Sequence, residues 1–115
     1  MKCIIVDDEP IAREGIRLLI SEIPQLALLK GFNNAGDASL FISETSVDLI
    51  FLDINMPGVN GIEFARSVPK QTLIIFTTAY SEYALDSYEV DAIDYLVKPI
   101  DPVKFRKAVN KAIVF

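Results

Sequence analysis

Asp48-Leu49-Ile50-Phe51-Leu52-Asp53-Ile54-Asn55-Met56-Pro57-Gly58 decides how the rest of the chain is read. The apolar run from Leu49 to Leu52 is too short for a helix of its own and stops at a Pro-Gly turn signal. It therefore predicts a strand buried on both faces, with Asp53 at its carboxyl end. An unpaired charge buried there costs roughly several kcal/mol, so such a carboxylate is either turned out to water or held by a cation and hydrogen bonds. The second reading fits, because other predicted strands end in groups able to hold it.

Composition sets the limits. A chain of 115 residues with 51% hydrophobic side chains is one domain with a core of its own, needing no disulfide or structural metal. Its net charge of -5 argues against a nucleic-acid surface, which needs clustered Lys and Arg. Cys3, the single cysteine, lies in the apolar run Cys3-Ile4-Ile5-Val6 and predicts a buried, reduced thiol. The sequence has no histidine, which excludes His-ligated zinc, His-based triads and a phosphohistidine carrier. The first apolar run breaks at Asp7-Asp8-Glu9, far short of the ~18 residues of a membrane span, so the expected setting is the cytoplasm, with no membrane contact.

Outward from Asp53, strands and helices alternate. Cys3 to Val6, Leu26 to Phe32, Leu73 to Thr77 and Asp94 to Val97 predict four further strands. Pro10 opens a helix carrying Ile16, Leu19, Ile20 and Ile23 until Pro24, and a second helix carries Ala38, Phe41 and Ile42. Asn60 with Glu63 resembles a capping box for a third, running through Phe64 and Val68. Ser81 can cap a fourth through Ala84, Leu85 and Tyr88. Asp101-Pro102 starts a fifth, with Phe105, Ala108, Val109, Ala112 and Ile113 as its apolar stripe. Five strands interleaved with five helices predict a doubly wound parallel α/β sheet, and such sheets bind ligands beyond the carboxyl ends of their strands. Asp7 and Asp8, Asp53, Thr77 and Thr78, and Lys98 all fall at such ends.

Each of these residues also has a plain structural reading. Asp7-Asp8-Glu9 before Pro10 fits acids favouring the positive end of a helix, an effect of up to about 1 kcal/mol. Thr77-Thr78 is ordinary strand vocabulary, Lys98 before Pro99 fits a solvated turn, and Asn55 with Pro57 to Gly61 fits turn chemistry. What favours the functional reading is their joint arrival at one sheet edge.

The stretches VDDEP, MPGVNG, TTA from Thr77 to Ala79 and DYLVKP from Asp94 to Pro99, taken in this order with Asp53, resemble the receiver domain of bacterial two-component response regulators over nearly the whole chain. The resemblance implies a flavodoxin-like strand order 2-1-3-4-5 and Asp53 as phosphoacceptor. It implies Mg²⁺ (or Mn²⁺) held by Asp8, Asp53 and the backbone carbonyl of Asn55, with Asp7 acting mainly through water. Three crowded carboxylates raise one another's pKa, and a hard divalent cation is their natural neutraliser. A carboxylate oxygen of Asp53 then attacks a phosphoryl group carried by a sensor histidine kinase, while Lys98, the Thr78 hydroxyl and nearby backbone amides steady its charge. Such a domain is a phosphoacceptor rather than an enzyme. Thr78 and Tyr95 are the implied switch pair. Tyr80 and Asn55 are implied to tune loss of the phosphoryl group.

The stretch from Tyr80 to Ile100 is similar to regulators carrying a LytTR-type DNA-binding domain after the receiver. The expectation is accordingly a receiver over residues 1–115, with the effector domain absent and no nucleic-acid binding by this part. Homodimerisation through the fourth helix, fifth strand and fifth helix is expected by analogy. Two rival readings differ in class. A haloacid-dehalogenase-like phosphatase also uses an Asp nucleophile, but it wants a second Asp where this chain has Asn55, and a late acidic pair. A receiver-like contact module without phosphorylation would have no need of Asp8, Asp53, Thr78 and Lys98 together.

Overall fold

The computed structural model describes residues 1–80 and 92–115. In chain order it contains β1 (Lys2–Val6), α1 (Pro10–Ser21), β2 (Ala27–Phe32), α2 (Ala35–Glu44), β3 (Leu49–Asp53), β4 (Asn55–Met56), β5 (Val59–Asn60), α3 (Gly61–Arg66), β6 (Leu73–Thr78), β7 (Asp94–Val97) and a C-terminal helix (Pro102–Val114). Five strands pair in parallel in the order β2-β1-β3-β6-β7. Counting only this sheet, that is the expected order 2-1-3-4-5, and the fold is flavodoxin-like. The expected helix from Ser81 lies outside the described residues.

The central strands are apolar on both faces because helices cover both. Ile4, Val6, Ile50, Leu52, Ile74 and Phe76 pack against α2 and α3 through Ala38 and Phe64. Their alternate neighbours Ile5, Leu49, Phe51, Ile75 and Leu96 pack against α1 and the C-terminal helix through Ile16, Ile20 and Phe105. A period of two along each strand thus builds two cores on opposite sides of one sheet, each fully buried large side chain contributing about 1.5–3 kcal/mol. Cys3 is buried in the second core, and burial pushes its thiol up to about 11, which leaves it inert as expected.

Helix starts follow the sequence signals. Asn34 caps α2 by accepting from the Asp37 N–H, Asn60 caps α3 by accepting from the Ile62 N–H, and Asp101 accepts from the Lys104 N–H before Pro102. One expectation needs correction. Ile113 is exposed, because it lies about 80° around the helix from Phe105, outside the seam made by Phe105, Ala108, Val109 and Ala112. The Pro57-Gly58 turn signal holds: the turn joins the short antiparallel pair β4 and β5, with Gly58 at φ +80°, so the stretch after Asp53 folds as a small hairpin.

That hairpin brings Gly61 back against Asp53. The Gly61 N–H donates to the Ile54 carbonyl at 2.7 Å, and a Cβ on Gly61 would lie 2.3 Å from the Asp53 carbonyl oxygen and 2.8 Å from the Ile54 Cα. Gly61→Ala is expected to cost about 1–3 kcal/mol in urea denaturation, as backbone beside Asp53 is forced to move. Gly15→Ala, on open α1 surface with nothing within 4 Å of the new methyl, is expected to raise stability by about 0.5–1 kcal/mol in the same measurement.

Candidate functional site

Four strand ends supply the site. The Asp7 N–H donates to the Phe32 carbonyl at 2.9 Å, and the Asp7 carbonyl accepts from an Arg13 guanidinium nitrogen at 2.7 Å, so the backbone that carries this carboxylate is fixed on two sides. Asp7 Oδ1 accepts from the Glu9 N–H at 2.9 Å. Asp53 Oδ1 accepts from the Asn55 N–H at 3.3 Å. The Lys98 N–H donates to the Thr78 carbonyl at 2.7 Å, continuing the β6–β7 ladder by one bond before the cis Lys98-Pro99 peptide.

From there the Lys98 ammonium reaches back over the sheet. Its Nζ lies 2.8 Å from Asp7 Oδ2, 3.4 Å from Glu9 Oε1 and 3.6 Å from Asp53 Oδ2. Asp7 and Asp53 are buried and Asp8 is half-buried, yet one carboxylate oxygen from each lies within 4.8 Å of the other two. One ammonium faces three crowded carboxylates and a fourth at the rim. Burial, then the charge of Asp7, pushes the Asp53 carboxyl up to about 7 against the opposing pull of Lys98 and the Asn55 N–H, with Asp8 adding to the rise. Burial pulls the Lys98 ammonium down, but hydrogen bonding to Asp7, the charges of Asp53 and Asp7, and a hydrogen bond to Glu9 outweigh it and hold it above its ordinary value.

Such a donor set fits a hard divalent cation. Carboxylate oxygens are the ligands Mg²⁺ and Mn²⁺ take, and the excess negative charge is what a cation would offset. The cleft above the cluster, about 550 Å³, is lined by Asp8, Glu9, Asp53, Asn55, Met56, Pro57, Ala79, Tyr80 and Lys98. An apolar groove between α1 and the turn from Lys98 to Pro102 is larger, about 690 Å³. The chemistry is nevertheless assigned to the strand-end cleft, because the buried carboxyl driven far from its ordinary range sits there.

Of the residues singled out from sequence, Asp7, Asp8, Asp53 and Lys98 meet, and Asn55 and Tyr80 line the same cleft. Thr78 is fully buried, and its hydroxyl accepts from the Tyr80 N–H at 3.0 Å. Tyr95 is not in the cleft: it is half-buried and stacks on Phe76 in the core on the α2 side, ring centroids 5.3 Å apart. Sequence reasoning missed Glu9 as a Lys98 partner and Arg13 as the anchor of Asp7. It also missed Gly61 as the close neighbour of Asp53. Glu9 adjoins the acidic pair, but nothing in the spacing marks Arg13, since its role depends on where α1 folds back over β1.

Residues 3–110 match the family described as the response regulator receiver domain. The chain is 38% identical to the sensory transduction protein LytT of Oceanobacillus iheyensis over 93% of its own length and 46% of that protein's. It is similar to the response regulatory domain of mrkE from Klebsiella pneumoniae, with 32% identity, a TM-score of 0.89, and coverage of 99% of this chain and 96% of that one. It is also similar to the response regulator TrrA of Thermotoga maritima, solved in complex with Mg²⁺ and BeF, with 32% identity, a TM-score of 0.83, and coverage of 96% and 97%. The chain spans about half the length of the curated relatives it matches. Among the described residues, no helix is long and apolar enough to cross a membrane.

The raised Asp53 carboxyl fixes a pH dependence. The folded state binds this proton more tightly than the unfolded chain, so between about pH 4 and 7 it holds more protons, and Asp53 makes stability fall as pH rises through that window. Asn cannot titrate. In metal-free urea denaturation the stability of Asp53→Asn relative to wild type is expected to grow from pH 4 to 7 and then level off, reaching up to about 4 kcal/mol. A difference independent of pH would show that the carboxyl is not strained by its surroundings.

Proposed function

Because the chain belongs to the response regulator receiver family, we propose that it accepts a phosphoryl group from a histidine kinase onto Asp53 and relays that event through its surface. The observation that carries this reading is the Lys98 ammonium lying 2.8 Å from Asp7 and 3.6 Å from Asp53, in a cleft open to solvent at the strand ends. In the proposed step an Asp53 carboxylate oxygen attacks phosphorus, the bond from phosphorus to the kinase imidazole breaks, and an acyl phosphate forms on Asp53. Lys98 follows the charge onto the transferred group, and the Thr78 hydroxyl and the backbone N–H groups near Asn55 and Ala79 bind the remaining oxygens. Asp8 and Asp53, with the Asn55 carbonyl, hold Mg²⁺ or Mn²⁺, and Asp7 supports it through water. When bound, that cation supplies a second positive centre beside Lys98 for the phosphoryl oxygens.

The readout begins at Thr78. Its hydroxyl leaves the Tyr80 N–H for the phosphoryl group, the chain after β6 shifts, and Tyr95 turns to a more buried rotamer, a population shift between two packings. In the longer protein the altered surface acts on a LytTR-type DNA-binding domain and pairs two receivers through the segment following β6, β7 and the C-terminal helix. This part of the chain binds no nucleic acid, and the protein works in the cytoplasm. It is a signalling acceptor that assists its own phosphorylation and dephosphorylation, not an enzyme acting on free substrates.

Treatment with acetyl phosphate and Mg²⁺ is expected to add one phosphate in intact-mass spectrometry, none in Asp53→Asn, and little when Mg²⁺ is withheld. No label on the wild type favours a contact module, and sustained hydrolysis of a generic phosphate ester favours a phosphatase. Tyr80, 52% exposed at the mouth of the cleft, is proposed to shield the acyl phosphate from water. Tyr80→Ala is expected to shorten the phosphoryl lifetime in a decay assay, and an unchanged or longer lifetime would remove that role.

A further inference from the structure

Thr77 is fully buried, and its hydroxyl has no hydrogen-bond partner among the described residues. Valine has the same shape without the cost of an unsatisfied hydroxyl, so packing gives no reason for threonine here. The surroundings give one. Along β6, Ile75 belongs to the core under α1 and Phe76 to the core under α2, so the pleat returns Thr77 to the α1 side. The same alternation carries Asp7 after Val6, Asp53 after Leu52 and Lys98 two residues after Leu96 to that side. In register, Thr77 pairs with Asp53 on β3 and with Leu96 on β7. Sheet order then matters. Lys98 leaves the end of β7, yet its ammonium touches Asp7 beyond the end of β1, so the side chain spans the ends of β6 and β3. Thr77 is the β6 side chain beneath that span.

We propose that Thr77 Oγ1 is a positioning group for Lys98, accepting a hydrogen bond from its ammonium when a divalent cation occupies the acidic cluster and so keeping that ammonium over Asp53. The inference rests on the proposed function. With the cluster free of cation, Asp7 Oδ2 holds Nζ most closely, at 2.8 Å against 3.6 Å for Asp53. Once Asp7 answers to a second positive charge its hold on the ammonium weakens, and Nζ is displaced back toward its own strand, over β6. Glu9 is exposed at the rim and would draw Nζ outward. The Thr77 lone pairs are buried, unclaimed and beneath the path, so they hold the ammonium inward with its other two N–H groups left for Asp53 and whatever Asp53 carries.

The test is Mg²⁺ affinity, by titration calorimetry, together with the metal-free denaturation midpoint, for wild type, Thr77→Val and Thr77→Ser, each with Lys98 and with Lys98→Met. Thr77→Val is expected to keep or raise the metal-free midpoint while weakening Mg²⁺ about tenfold, the size of one hydrogen bond to a charged group. Thr77→Ser is expected to restore wild-type affinity, and Thr77→Val in the Lys98→Met background to have no effect. Wild-type affinity in Thr77→Val, or a loss that persists without Lys98, would overturn the inference while leaving acetyl phosphate labelling of Asp53 intact. If Thr77→Val does not fold, Thr77→Ala provides the same comparison. A wild type that binds no Mg²⁺ overturns the proposed function, and this inference with it.

Discussion

The contact on which the rest depends is the reach of one ammonium across the sheet. Lys98 stands at the end of β7, and its Nζ meets Asp7 at the end of β1, two strands beyond its neighbour β6. A parallel sheet places every strand's carboxyl end on the same edge, so residues distant in sequence become neighbours there without any local motif. The carboxylates are buried because strands β1 and β3 are buried on both faces and end only where these acids begin. Buried acids without a cation would unfold the edge or take up protons, and Asp53 does the latter in part, its carboxyl standing near neutrality. Lys98 offsets part of the cost, and the charge it leaves uncompensated is the site's capacity to hold something more.

Rigid supports keep that imbalance from relaxing. Arg13 grips the Asp7 carbonyl from α1, the β4–β5 hairpin returns Gly61 onto the Asp53 backbone, and the Asn55 N–H fixes Asp53 Oδ1. Each clamps backbone or one carboxylate oxygen and leaves another oxygen facing the cluster. Such support matters more than the acids themselves, since an acidic cluster on mobile loops would spread apart and lose its affinity for a small cation.

The parallel α/β sheet, the caps at Asn60 and Asp101, and the convergence of Asp7, Asp8, Asp53 and Lys98 were legible in the sequence, because strand ends in a doubly wound sheet are set by apolar runs and turn residues, whereas the strand order followed from the family resemblance. The β4–β5 hairpin was not, since two-residue strands have no periodicity to read. Arg13 and Glu9 were missed for another reason: Arg13 meets Asp7 only because α1 folds back over β1, and Glu9 meets Lys98 only because that side chain reaches across from the end of β7, tertiary relations that spacing does not encode. Ile113 went astray by rotation, the helical stripe drifting off the seam by its eighth residue. Thr77 and Thr78 looked alike as consecutive strand residues, and their difference appears only when the two cores define which way each one faces.

That last distinction bears on how the proposed chemistry and the proposed readout would share one strand. On β6 the α1-side position next to Asp53 is Thr77, level with the acids. The next residue, Thr78, faces the α2 side with Phe76, on which Tyr95 stacks. Under the proposed readout, a pull on Thr78 from the cleft would act on the layer that contains Tyr95, while Thr77 would stay registered to Asp53 through the β3–β6 ladder. Because the pleat gives adjacent residues opposite faces, the proposed event at the strand tip would not need to travel through the core to reach the far side of the sheet. It would have only to pass along one peptide unit, from a position held by the ladder to a position where the ladder ends, the hydrogen bond from the Lys98 N–H to the Thr78 carbonyl being the last rung before the chain turns away.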